Sequence, residues 1–315
     1  MKNLKYKFIN MVIIVLLIQI INLLVFNCIS IATTEDIKDT YDVILFWGQS
    51  NMTGYCGLNY DEKTANRHQA NIEIKRDYRY KYQDSNSVNN YSKKTGIDKE
   101  FLANSVQMNW VKISQEKNTV FDYNYENNKL IELNENTQKI GELLKYDSGS
   151  KKLIEAEWND YSIQKSYGTN IVPQFCKTYY QKTGHKVVCV LAGNGGEQIA
   201  NFLPSTDEDY GEKTKQNKQM IYEAMVEKYK AAIKHLESNG YTVKNKMWVS
   251  FQGEADANLG TDIGKYKDRF LKVHNGLKKD LNITKGAIIE TSTLLGKDNY
   301  QNVINIHNAQ IQLAA

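Results

Sequence analysis

Apolar residues run without a break over 43–47, Val-Ile-Leu-Phe-Trp, and stop at Gly48. So short an unbroken run predicts a strand buried on both faces that ends in a tight turn. The pattern returns at 187–191, Val-Val-Cys-Val-Leu, which ends in Ala192-Gly193-Asn194-Gly195-Gly196. A third strand is predicted over 246–251, which ends in Gln252-Gly253-Glu254, and a fourth over 287–291. Between the strands, apolar residues fall at helical spacing over 173–183, stopped by Gly184, over 219–236, closed by Asn239-Gly240, and over 266–281. A last helix is predicted from Val303 onward. Strand and helix in alternation predict parallel strands joined by right-handed crossovers, the α/β class.

Two stretches break this rhythm. Residues 8–32 are almost wholly apolar behind Lys2, Lys5 and Lys7, with Ser30-Ile31-Ala32 as a small-x-small exit. That describes a secretory signal peptide, although the run is long enough to serve instead as an uncleaved membrane anchor. Either outcome places the chain outside the cell or at its surface, with the membrane touched only through this segment. From 58 to 167, Asn, Lys, Tyr, Ser and Asp dominate, and the stretch reads as an insertion in a domain that spans 41–315. Alternation over 119–125 and 129–133 around Glu126-Asn127-Asn128 predicts a hairpin within it. The insertion is expected to be a solvated surface excursion, or, through Tyr78, Tyr80, Trp110 and Trp158, part of the wall of a carbohydrate cleft.

Composition narrows the classes. A formal charge of +4, with lysines scattered among acids, offers no nucleic-acid footprint. Cys56, Cys176 and Cys189 remain beyond the leader, an odd set without metal-ligand spacing, so the fold is expected to rest on its core and not on disulfides.

Three strands end in polar or glycine-rich turns, and parallel topology gathers such ends at one edge of the sheet. They bring a hydroxyl at Ser50, backbone N–H groups at Gly195 and Gly196, and an amide and a carboxylate at Gln252 and Glu254. Each alone is ordinary: a serine in a turn is usually a cap, and a Gly-Gly usually a turn. Together they supply a nucleophile and the donors that a tetrahedral oxyanion needs.

Gly48-Gln49-Ser50-Asn51-Met52-x-Gly54 resembles the first block of the SGNH hydrolases, in the branch of the sialate O-acetylesterases and carbohydrate esterase family 6. Gly195-Gly196-x-x-Ile199 resembles the second block, and Trp248-x-x-x-Gln252-Gly253-Glu254-x-Asp256-Ala257 the Gln-Gly-Glu block. The resemblance covers about half the chain and not the insertion. It implies a three-layer α/β/α sandwich with a parallel, flavodoxin-like sheet. Ser50 would be the nucleophile, its N–H, that of Gly195 or Gly196 and the side chain of Gln252 the oxyanion hole, and Glu254 a carboxylate that orients the base. Departures are visible: Glu197 and Gln198 stand where the family usually has Ser or Thr with a small partner, and Phe202 where Trp is common. The family's Asp-x-x-His, expected near the carboxyl end, does not occur before Ala315, so the chain is expected to be truncated and the base is unassigned. His68, His185, His235 and His274 read as structural, and His307 sits where the family often has Arg.

The expectation is a serine esterase that removes acetyl groups from carbohydrate through an acetyl-enzyme, needing neither metal nor organic cofactor. The alternative is a cell-surface glycan-binding protein whose catalytic machinery has decayed.

Overall fold

The computed structural model describes residues 40–53, 56–57, 119–133, 141–157, 160–164, 168–211, 219–291 and 300–314. The leader at 8–32 and most of the insertion, with Tyr78, Tyr80, Trp110, Trp158 and His68, lie outside them. No described helix is long and apolar enough to cross a membrane.

The strands are β1 (Thr40–Gly48), β2 (Cys56–Gly57), β3 (Val120–Asn124), β4 (Lys129–Glu132), β5 (Leu144–Asp147), β6 (Lys152–Glu155), β7 (Gly168–Thr169), β8 (Lys186–Leu191), β9 (Thr242–Phe251) and β10 (Lys285–Ile288). The helices are α1 (Ser50–Thr53), α2 (Val172–Thr183), α3 (Ile221–Ser238), α4 (Glu254–Leu259), α5 (Ile263–Leu281) and α6 (Tyr300–Ala314), with a 3₁₀ turn at Ile199–Phe202.

The main sheet is mixed and mostly parallel, in the order β10-β9-β1-β8-β3-β4. Numbered by their place in the α/β rhythm, β8-β1-β9-β10 is the 2-1-3-4 arrangement of flavodoxin-like sheets. Strand β1 is central. Every residue from Tyr41 to Gly48 is buried, because its odd side chains, Val43, Leu45 and Trp47, enter one core and its even ones, Ile44 and Phe46, enter the other. The first core is closed by α3, α5 and α6 through residues such as Met225, Tyr229, Phe270, Val273 and Ile306. The second is closed by α2 through Val172 and Cys176.

The predicted elements are present with shifted ends. Helix α2 stops at Gly184 as expected: its φ of 71° gives the left-handed cap, and its N–H returns to the Tyr180 carbonyl. Helix α5 starts three residues before the expected Tyr266, because Asp262 caps it by accepting the Lys265 N–H at 3.0 Å. Strand β9 begins four residues early, in the polar alternation of Thr242 to Asn245, where it outruns the helices that cover it.

The hairpin at 119–133 forms, but it is not a surface excursion. β3 pairs parallel with β8, placing Val120 opposite Val187 and Asp122 opposite Cys189, and β4 returns antiparallel. The main sheet thereby gains two strands from within the 58–167 stretch. Val120, Tyr123, Leu133, Leu144 and Ile163 are buried there, so the polar composition conceals a contribution to the core.

Candidate active site

In a 2-1-3-4 sheet the chain reverses its direction of winding between strands 1 and 3, and a crevice opens at their carboxyl ends. Here those strands are β1 and β9. Gly48 ends β1 with a φ of 146°, and a Cβ on it would stand 2.0 Å from the Phe251 carbonyl oxygen. Only glycine lets the two strand ends approach so closely. The Gln49 N–H donates to that same oxygen at 3.1 Å, and Gln49 Oε1 accepts the Ala255 N–H at 3.2 Å.

Ser50 is the first residue of α1, so its own N–H has no intrahelical acceptor. It is half-buried, and among the described residues its Oγ has no hydrogen-bond partner. The turn after β8 is drawn alongside. Ala192 N–H donates to Phe46 O and Asn194 N–H to Gly48 O, each at 2.8 Å, which continues the β1–β8 ladder past both strand ends. A Cβ on Gly195 would lie 3.7 Å from Ser50 Cβ, so the glycine turn lies close beside the serine. The Gly195 N–H is occupied by Gln164 Oε1 at 2.9 Å, and the Gln164 N–H donates to Gly193 O at 2.8 Å. Gly196, with φ 80°, faces open space.

Gln252 follows β9 and is buried. Its Nε2 donates to Asp256 Oδ2 at 2.6 Å and to the Glu197 carbonyl at 3.2 Å, while its Oε1 is buried without a partner. Asp256 also accepts from Ile199 N–H at 2.8 Å and Thr261 Oγ1 at 3.0 Å, tying the Gln-Gly-Glu turn to the 3₁₀ turn beyond the glycines. Tyr266 and Gln310 donate to the Gln252 carbonyl from α5 and α6.

Glu254 opens α4. Its Oε1 accepts from Asn51 Nδ2, on the residue after the serine, and its Oε2 is buried with no partner. Burial pushes this carboxyl up to about 7, against the opposing pull of its hydrogen bonds, and the nearby Asp256 charge raises it further. Burial also raises Glu197.

No described histidine bonds to Ser50. His185 holds a buried carboxylate on Nδ1, Asp42 at 2.8 Å, but this pair sits at the amino end of β1, the opposite edge of the sheet. His274 Nδ1 accepts from Trp248 Nε1, and His307 pairs with Glu290. Helix α6 reaches the site through Gln310, one turn beyond His307.

The structure thus gathers Ser50, Gly195, Gln252 and Glu254 at one crevice. It also places there Gln164, Asp256 and the side chain of Asn51, none of which the sequence marks with a role. Asp256 was within reach, as a carboxylate four residues after Gln252 on a helix start, and Asn51 adjoins the serine. Gln164 lies in irregular chain with no period to mark it.

A sheet of this order, with a serine, a glycine turn and an amide-carboxylate turn at its carboxyl edge, defines an α/β protein with a polar strand-end crevice. The chain belongs to the carbohydrate esterase, sialic acid-specific acetylesterase family, whose model matches residues 125–315. Ser50 precedes that span. Three solved structures are similar at low identity. A protein from Arabidopsis thaliana is 14% identical, with 87% of this chain and 81% of that one covered and a TM-score of 0.46. NanS is 14% identical, with 87% and 74% covered and a TM-score of 0.41. A carbohydrate acetylesterase from Xanthomonas citri is 13% identical, with 87% of this chain and 56% of that one covered and a TM-score of 0.30. No curated protein matches the chain.

Proposed function

We propose that the protein is an exported serine esterase that removes O-acetyl groups from carbohydrate, with Ser50 as nucleophile. The observation that carries this is the closeness of Ser50 to the Gly195 turn, 3.7 Å from Ser50 Cβ to the position of an added Gly195 Cβ, in a chain of an esterase family. Ser50 Oγ attacks the acetyl carbonyl; the sugar oxygen leaves with a proton, and water then releases acetate from the acetyl-enzyme. The N–H groups of Ser50 and Gly195 and the amide of Gln252 support the oxyanion, once Gln164 yields its place and the amide turns from Asp256. Glu254, with one oxygen held by Asn51 and the other unpaired, suits a carboxylate that orients a histidine base. Export rests on the basic and apolar pattern of residues 2–32.

The second reading, a glycan-binding protein with decayed catalysis, is favoured by one observation: among the described residues no histidine bonds to Ser50. Fluorophosphonate labelling read by mass spectrometry separates the two. The esterase reading expects the label on the peptide containing Ser50 and its loss in Ser50→Ala. An unlabelled Ser50, with no acetate released from O-acetylated sialic acid or acetylated xylan, favours the binding protein.

A further inference from the structure

Away from Ser50, a groove of about 560 Å³ lies between the β3–β4 hairpin and one stripe of α3. The stripe carries Glu227, Lys230, Ala231, Lys234, His235 and Ser238, whose i, i+3, i+4 spacing puts them on one helix face. No large apolar side chain lines the groove from that face.

Its two walls are of different kinds. On the hairpin side the tyrosines are fixed. Tyr123 donates through its hydroxyl to Asn128 Oδ1 at 2.9 Å, and Tyr125 donates to Glu227 Oε1 at 3.1 Å while accepting from Leu153 N–H at 3.4 Å. On the helix side Glu227 is taken by Tyr125, but the two lysines are unspent. The ammonium groups of Lys230 and Lys234 are exposed and have no partner among the described residues. His235 stacks at a tilt near Tyr123, with ring centroids 5.8 Å apart, and its Nδ1 is buried with no hydrogen-bond partner. Burial also lowers the His235 pKa, so at neutral pH its ring adds no charge to the wall.

Each feature selects the ligand. Two cations one turn apart repel each other and are relieved by an anion between them. A fixed tyrosine offers a flat apolar surface with a polar edge. We propose that this groove is a second binding site, for a carboxylated sugar unit of a glycan. The carboxylate lies between Lys230 and Lys234, and the sugar face lies along Tyr125.

The test titrates the full chain with N-acetylneuraminic acid and with glucuronic acid, with N-acetylglucosamine as neutral control, by calorimetry at low and high salt. The acids should bind, more weakly as salt rises, and the Lys230→Glu/Lys234→Glu pair should weaken them at least about tenfold with the circular dichroism spectrum unchanged. Ser50→Trp, which fills the serine site, should leave the affinity within about twofold. Three results would overturn the assignment: no acid binding up to about 10 mM, equal binding of acid and neutral sugars, or binding lost in Ser50→Trp and kept in the lysine pair. Tighter binding of poly-glutamate than of either acid would make the groove a peptide site instead. None of these outcomes bears on the role of Ser50, which is read from its labelling.

Discussion

The backbone nitrogen of Gly195 and the side-chain oxygen of Gln164 are 2.9 Å apart, and this bond occupies the donor that the proposed acyl transfer would use beside Ser50. On the proposed esterase reading, Gln164 Oε1 occupies the place of a substrate carbonyl oxygen. A carboxylate there would oppose the developing oxyanion, and an alanine would free the donor. Gln164→Glu is therefore expected to lower kcat for p-nitrophenyl acetate by about 10²-fold, within the range for loss of one oxyanion donor. Gln164→Ala should leave kcat/KM unchanged or raise it. Equal losses in both variants would mean that Gln164 acts by holding the Gly193–Gly195 turn.

On the proposed reading Gln252 meets two demands, since its amide bonds to Asp256 and would turn to an oxyanion. Gln252→Ala should lower kcat by roughly 10²–10³ with KM little changed, because charge on the substrate oxygen develops only in the transition state. It should also cost about 1–3 kcal/mol in urea unfolding, since Asp256 Oδ2 loses a donor in a buried site. A loss seen mainly as raised KM would make Gln252 a substrate-binding residue.

How far such residues could be read from the sequence depends on whether a period or a short motif marks them. The doubly buried run at 43–47 and the glycine after it disclosed β1 and the crevice, because burial on both faces forces an apolar run and a close strand end forces a glycine. The β3–β4 pair was legible as a hairpin and illegible as part of the main sheet. Its partner, β8, lies more than fifty residues onward, and its sequence is as polar as its surroundings. Gln164 could not be found at all: its importance comes from one long-range bond, which leaves no local pattern.

Gly48 and Gly196 both have positive φ, but only the first is crowded. Gly48→Ala drives a Cβ into the Phe251 carbonyl and should destabilise by about 3 kcal/mol or more, since backbone on both sides must shift. Gly196→Ala meets no atom and should cost only the left-handed torsion, about 1–2 kcal/mol. Urea midpoints for the two variants give the comparison. Equal shifts would mean that the strand ends part easily, and that the crevice is not rigidly set by β1 and β9.

Glu254 makes stability depend on pH in a direction opposite to that of a salt-bridged carboxylate. Its pKa rises from an ordinary 4.5 to about 7 on folding, chiefly through burial. Between those values the folded chain binds more protons than the unfolded chain, so stability falls as pH rises through that window. Below the window the group is neutral in both states and costs nothing. Above it the full penalty applies, on the order of 3 kcal/mol. Glu254→Gln keeps an oxygen for Asn51 Nδ2 and removes the charge, so it should stabilise the protein at pH 8 and change little at pH 4. Asp122, raised to about 6 by burial, acts in the same direction and should leave part of the slope in the variant. Urea unfolding of both proteins across this range measures the difference. An unchanged profile in Glu254→Gln would show that Glu254 is ionised in the folded protein without penalty, and that its second oxygen has a partner in solution.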